Sequence, residues 1–91
     1  MELVRKFKLT NELGLHARAA AKIVALANQY NTQLFIKKDG REEVDGRSIL
    51  SILTLSCPKG TEIEVRIAGD NCRDFLEKLQ NLFDRKFGED K

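Results

Sequence analysis

The chain has 91 residues, 42% of them hydrophobic and 33% charged, a balance that builds one core and excludes both a disordered tail and a second, independent active-site module. Its 16 Lys and Arg against 14 Asp and Glu leave a net charge of +2 with the signs interspersed (Arg5, Lys6 and Lys8 before Glu12; Lys37 and Lys38 before Asp39, Glu42 and Glu43), so no basic stripe forms and no nucleic-acid partner is expected. No apolar run approaches a membrane span, so no membrane insertion is expected, and Met1 to Arg5 lacks the apolar region of a signal peptide, so the expected location is cytoplasmic.

In chain order, Leu3 to Thr10 reads as a strand with Leu3, Phe7 and Leu9 on one face and Val4, Lys6 and Lys8 on the other; Arg5 interrupts the apolar face. From Ala17 to Tyr30, Ala20, Ile23, Val24 and Ala27 recur at helical spacing in an alanine-rich segment of high helix propensity, and Asn31 ends it. Leu34 to Lys38 and Arg41 to Asp45 read as antiparallel strands joined at Asp39-Gly40, a dipeptide that readily adopts positive φ. Ser48 opens a short helix over Ile49 to Ser56, although the apolar pattern there also admits a buried strand.

Pro58-Lys59-Gly60 breaks the chain, and Thr61 to Ala68 then alternates, with Ile63, Val65 and Ile67 inward and Glu62, Glu64 and Arg66 outward. Beyond Gly69-Asp70-Asn71, the residues Cys72, Phe75, Leu76, Leu79, Leu82 and Phe83 form the apolar stripe of a last helix that ends near Gly88. The order β-α-β-β-α-β-α predicts an α+β open-faced β-sandwich: a four-stranded, mainly antiparallel sheet with three helices on one face, in a single domain over residues 1–91. Cys57 and Cys72, with only one histidine in the chain, match no metal or CxxC pattern. They are expected to be reduced and packed, with no metal and no cofactor.

The segment Gly14-Leu15-His16-Ala17-Arg18-Ala19-Ala20 carries the chemistry. Gly14 permits a tight turn, and a helix beginning at about Ala17 puts His16 at or beside the N-cap, facing unpaired backbone N–H groups. Those donors and the positive helix end favour an anion and disfavour an imidazolium, so the imidazole is held as the neutral nucleophile that phosphorus chemistry requires. The Ala17 and Arg18 backbone N–H groups can meet phosphate oxygens, and Arg18 adds a planar guanidinium suited to bidentate contact. There is no GxxxxGK[ST] loop, so phosphate would arrive from another protein rather than from ATP bound here. The residues alone leave a second reading open, in which His16 is a plain helix cap and Arg18 a solvated charge.

Gly14-Leu15-His16-Ala17-Arg18, together with Ser48-Ile49-Leu50 and Lys59-Gly60-Thr61-Glu62-Ile63, resembles the HPr family, the histidine-containing phosphocarriers of the phosphotransferase system, over nearly the whole chain. The resemblance implies that His16 is phosphorylated on Nδ1 by a phosphoenolpyruvate-dependent enzyme I and passes the phosphate to an enzyme IIA. It implies a carrier that needs partner enzymes, not a self-sufficient enzyme, and a monomer is expected. Family members usually carry proline directly after the motif arginine, where this chain has Ala19; alanine suits the position, but the first turn loses proline's fixed φ.

Ser48 is a good N-cap in its own right. By resemblance it is also a regulatory phosphorylation site for an HPr kinase/phosphorylase. Ile49, Leu50 and Leu53 read mostly as core candidates, but a two-turn helix cannot bury every apolar side chain, and Leu50, off the Ile49/Ile52/Leu53 stripe, is the candidate for exposure. The resemblance makes Ile49, Leu50 and Leu53 part of the surface that docks enzyme I and enzyme IIA, with Arg18 and Lys22 supplying charge; Lys22 is otherwise an ordinary solvated lysine. Leu13-Gly14, Leu82-Phe83 and Phe87-Gly88-Glu89-Asp90 are also similar to the nitrogen-regulatory paralogue, NPr. A regulatory interaction module of the same fold, with His16 only a cap, is the alternative from another class.

Overall fold

The structure, a computed structural model, describes residues 1–90. The elements follow in the expected order: β1 (Glu2–Lys8), α1 (Ala17–Ala27), β2 (Thr32–Lys38), β3 (Val44–Asp45), α2 (Ile49–Leu53), β4 (Glu62–Gly69) and α3 (Cys72–Asp84), followed by a 3-10 turn at Lys86–Gly88. The strands form one sheet in the order β1-β4-β2-β3, and each neighbouring pair is antiparallel. The clean alternation of β4 explains its central position. Ile63 and Ile67 lie opposite Phe7 and Leu3 of β1, while Val65 and Ile67 lie opposite Ile36 and Leu34 of β2. One sheet face is thereby continuously apolar and is covered by the helices.

The other face is polar. There the Arg66 guanidinium bonds both carboxylate oxygens of Glu43, at 2.9 and 2.8 Å, and lies 4.3 Å over the Phe35 ring. The inner stripe of α3 is as predicted, with Cys72, Phe75, Leu76, Leu79, Leu82 and Phe83 all buried. Phe83 joins helix to sheet and to the segment beyond α3: it stacks on Phe7 at 4.4 Å and meets Phe87 edge-on at 4.9 Å. Both cysteines are free and buried, and burial pushes the Cys57 thiol above its ordinary range although Lys38 opposes the shift. Arg5, the polar interruption in β1, is exposed and reaches Gln80 of α3 at 3.3 Å.

Several boundaries differ from the sequence expectation. The second hairpin arm shrinks from Arg41–Asp45 to Val44–Asp45, because Arg41, Glu42 and Glu43 are all exposed and have no apolar alternation to hold them against β2. β1 stops at Lys8 instead of Thr10, and α2 stops at Leu53 instead of Ser56, whose φ is +56°. α3 ends at Asp84 rather than near Gly88, because Lys86, Phe87 and Gly88 take φ values of +53°, +58° and +79°.

α1 ends at Ala27 rather than Tyr30. The residue responsible is Arg47, whose Nη1 donates to the carbonyls of Ala27, Tyr30 and Thr32 at 2.9, 3.2 and 2.8 Å. Ala27 is the last residue of α1, Tyr30 lies in the turn that follows and Thr32 opens β2, so the guanidinium ties the exit of the helix to the sheet, and a cation suits the negative end of the dipole. One side chain thus closes α1 and fixes the start of β2. Arg47→Ala should lower stability by about 1.5–3 kcal/mol, the usual worth of hydrogen bonds from a charged group, measured by urea denaturation; an unchanged midpoint would contradict this capping role.

Candidate functional site

The site is built where the loop after β1 meets the turn before β4. Leu9 N–H donates to the Thr61 carbonyl at 2.9 Å and Gly60 N–H donates back to Leu9 at 2.8 Å. Leu15 N–H then donates to the Cys57 carbonyl at 2.8 Å, while Leu9 and Leu15 are both buried. Gly14, at φ +63°, sits so close to this partner segment that a Cβ would fall 2.3 Å from the Cys57 oxygen. Only glycine meets both the backbone angle and the contact.

That seating delivers His16 to the N-cap of α1 with extended backbone angles (φ −84°, ψ 179°). The first helical bond runs from Ala20 N–H to the His16 carbonyl at 2.9 Å, so Ala17, Arg18 and Ala19 occupy the open first turn, whose N–H groups have no intrahelical acceptor. Ala19 is fully buried, so the small side chain suits the packing of this turn. Arg18 is exposed, and no carboxylate pairs with it among the described residues.

The imidazole differs from expectation in one respect. It makes no capping bond to its own helix; instead Nε2 is hydrogen-bonded to Oε2 of Glu89, from the segment beyond α3. The other carboxylate oxygen, Oε1, accepts from Asn11 Nδ2 at 3.0 Å, and the same amide donates to the Gly14 carbonyl at 2.8 Å. Burial tends to raise the Glu89 pKa, but the hydrogen bonds from Asn11 and His16 and the charges of His16 and Lys22 outweigh it and hold the carboxyl below its ordinary range. Glu89 is therefore an anion at neutral pH. Nothing in the local pattern marks Glu89 or Asn11, because both act across long sequence separations; only Phe87, an aromatic past the helix stripe, hints that the terminal segment packs.

His16 and Arg18 share a shallow surface depression with Leu13, Lys22, Gly88 and Asp90. Lys22 is not the free solvated charge expected from the sequence: its Nζ is hydrogen-bonded to the Phe87 carbonyl. Ser48 caps α2, its Oγ accepting from Ser51 N–H at 3.2 Å. Ile49, expected in the core, is 38% exposed, and Leu50 is 77% exposed; Ile52 alone of this helix is fully covered, with Leu53 half-buried. A five-residue helix packed on α1 and β3 can hide only one such side chain completely. None of Ser48, Ile49, Leu50 or Leu53 lines the depression around His16.

A family model described as "PTS HPr component phosphorylation site" matches residues 3–85. The chain belongs to the HPr family of phosphocarrier proteins. Among its relatives, the phosphocarrier protein HPr of Xylella fastidiosa is 38% identical over 97% of this chain and 98% of its own. The phosphocarrier protein NPr of Escherichia coli is 31% identical over 99% of this chain and 100% of its own. In structure, an HPr from Thermoanaerobacter tengcongensis superposes with a TM-score of 0.90 at 30% identity, covering 98% of this chain and 99% of that one. The HPr architecture thus accounts for the whole sheet and its helices, whereas Glu89 lies beyond the residues that the family model matches.

Gly14→Ala should destabilise the protein by about 2–4 kcal/mol, the range of changes that combine backbone strain with overpacking. Chemical denaturation checks this, and a loss under about 0.5 kcal/mol, the size of an ordinary surface change, would contradict the tight seating.

Proposed function

We propose that this chain is a phosphocarrier of the phosphotransferase system in which His16 accepts a phosphoryl group from phospho-enzyme I and passes it to an enzyme IIA. The supporting observation is an imidazole whose Nε2 is occupied by Glu89, at the open N-terminus of α1 and close in sequence to the exposed Arg18. Nδ1 is then the nitrogen with an available lone pair. An Nδ1-bound phosphoryl group would meet the first-turn N–H groups of Ala17 and Arg18, the helix dipole and a guanidinium, a set that stabilises charge without any further catalytic group. Phosphoryl transfer asks mainly for that positioning and charge. The chain acts as a carrier between partner enzymes in the cytoplasm, and exposed Ile49 and Leu50, with Leu53 and Arg18, form its docking surface.

The nitrogen-regulatory branch is favoured as a second reading by the end-to-end match to an NPr and by the Phe87-Gly88-Glu89-Asp90 segment; the enzyme I that phosphorylates the chain faster decides between the branches.

Incubation with phosphoenolpyruvate and enzyme I should add one acid-labile phosphate, seen by intact mass. His16→Ala should abolish it with the fold retained, and persistent labelling would contradict the assignment. Arg18→Ala should still be labelled, but about tenfold more slowly, as loss of one charge-assisted contact in the transfer step implies; an unchanged rate would remove Arg18 from the site.

Ser48 is proposed as a regulatory phosphorylation site. A phosphate there would place negative charge at the start of α2, two residues before exposed Leu50. With an HPr kinase/phosphorylase and ATP, the wild type should gain a single acid-stable phosphate that Ser48→Ala removes. No mass gain would leave Ser48 as the cap of α2 alone.

A further inference from the structure

The segment beyond α3 is built to deliver one carboxylate to one imidazole. Lys86 and Phe87 hold left-handed backbone angles, which non-glycine residues adopt only against steric strain. Phe87 is nevertheless fixed: it is 1% exposed, packed edge-on against Phe83, and its carbonyl is held by Lys22. Two residues later Glu89 is clamped on Oε1 by the buried Asn11, and Asn11 is itself tied to Gly14, the residue that sets the position of His16. Carboxylate and imidazole are therefore indexed to the same loop.

We propose that Glu89 is a positioning residue for His16: its carboxylate holds the ring proton on Nε2, and it stabilises the ring's positive charge while Nδ1 carries the phosphoryl group. This rests on the carrier reading above and extends it to a residue outside the part of the chain that the family model matches.

The chemistry balances without any proton changing place. The neutral ring, with its proton on Nε2, attacks phosphorus through the Nδ1 lone pair. The Nδ1–P bond forms as the donor's P–N bond breaks, and that electron pair returns to the donor ring. The His16 ring is left cationic, with Nε2–H still directed at Glu89. When the phosphoryl group moves on, the Nδ1–P electron pair returns to the ring and neutrality is restored. An anion fixed on the far side of the ring therefore favours the cationic phosphorylated state, and it also occupies the nitrogen that would otherwise compete as nucleophile. A carboxylate orienting a histidine in a hydrolytic triad fixes the tautomer and stabilises the imidazolium by the same logic.

The test uses the full chain labelled with 15N-histidine, in mildly alkaline solution where imidazoles are neutral, with Glu89→Ala and Glu89→Gln alongside the wild type. Long-range 1H–15N correlation should show the wild-type ring as the Nε2–H tautomer alone, and the second tautomer should become populated in Glu89→Ala. Phosphorylation by phosphoramidate, a small-molecule donor that needs no partner enzyme, should slow by about tenfold in Glu89→Ala, the factor that one charge-assisted hydrogen bond implies. Glu89→Gln keeps an acceptor but loses the charge, so it should keep the tautomer and recover only part of the rate. A Glu89→Ala protein with the wild-type tautomer and rate would overturn the proposal, even with a lowered melting temperature, because Glu89 would then only anchor the terminal segment. A wild type that takes no phosphoryl group from phosphoramidate or from phospho-enzyme I would overturn the carrier reading itself and, with it, the proposed stabilisation of the phosphorylated ring; that failure is visible before any variant is compared.

Discussion

The contact on which the rest of the site depends is the seating of Gly14 and Leu15 against the Cys57 carbonyl. It joins the loop after β1 to the turn before β4 and decides where α1 can begin. With α1 started at Ala17, its open first turn lies at the surface, His16 becomes the N-cap, and Arg18 falls within the same turn. The sheet supports this arrangement because β4 lies directly beside β1, so the two connecting segments leave adjacent strands and can be stitched together by short backbone hydrogen bonds.

Electrostatics at the site is arranged by sides of one ring. The helix terminus and an exposed guanidinium offer positive potential, while a carboxylate held in its ionised form by Asn11, His16 and Lys22 occupies Nε2. An anionic group on Nδ1 and a cationic ring beneath it would each find the opposite charge waiting. No deep cavity is needed for this. A shallow depression suits the proposed role, in which two protein partners reach His16 in turn.

The features legible in the sequence are those written in local patterns. The alternation of Ile63, Val65 and Ile67 and the stripe from Cys72 to Phe83 fixed the sheet face and the last helix, and the glycine, histidine and arginine of the first helix start marked the candidate site. What escaped were effects of long sequence separation. Arg47 ends α1 by reaching back to Ala27, Tyr30 and Thr32, and no periodicity announces such a cap. Glu89 meets Asn11 and His16 across most of the chain. Lys22 reads as a surface charge until the Phe87 carbonyl is brought to it, and Ile49 loses its expected burial because α2 is too short to cover both Ile49 and Ile52.

As a phosphocarrier, His16 is proposed to carry phosphate on Nδ1 while Nε2 keeps its proton. Nitrogen NMR of the 15N-histidine-labelled chain after phosphorylation by enzyme I and phosphoenolpyruvate measures this directly, since the phosphorus couples to the nitrogen that bears it. Coupling to Nδ1 alone, with the proton still on Nε2, is the predicted result; coupling to Nε2, or a stable phosphate with neither ring nitrogen coupled, would contradict it.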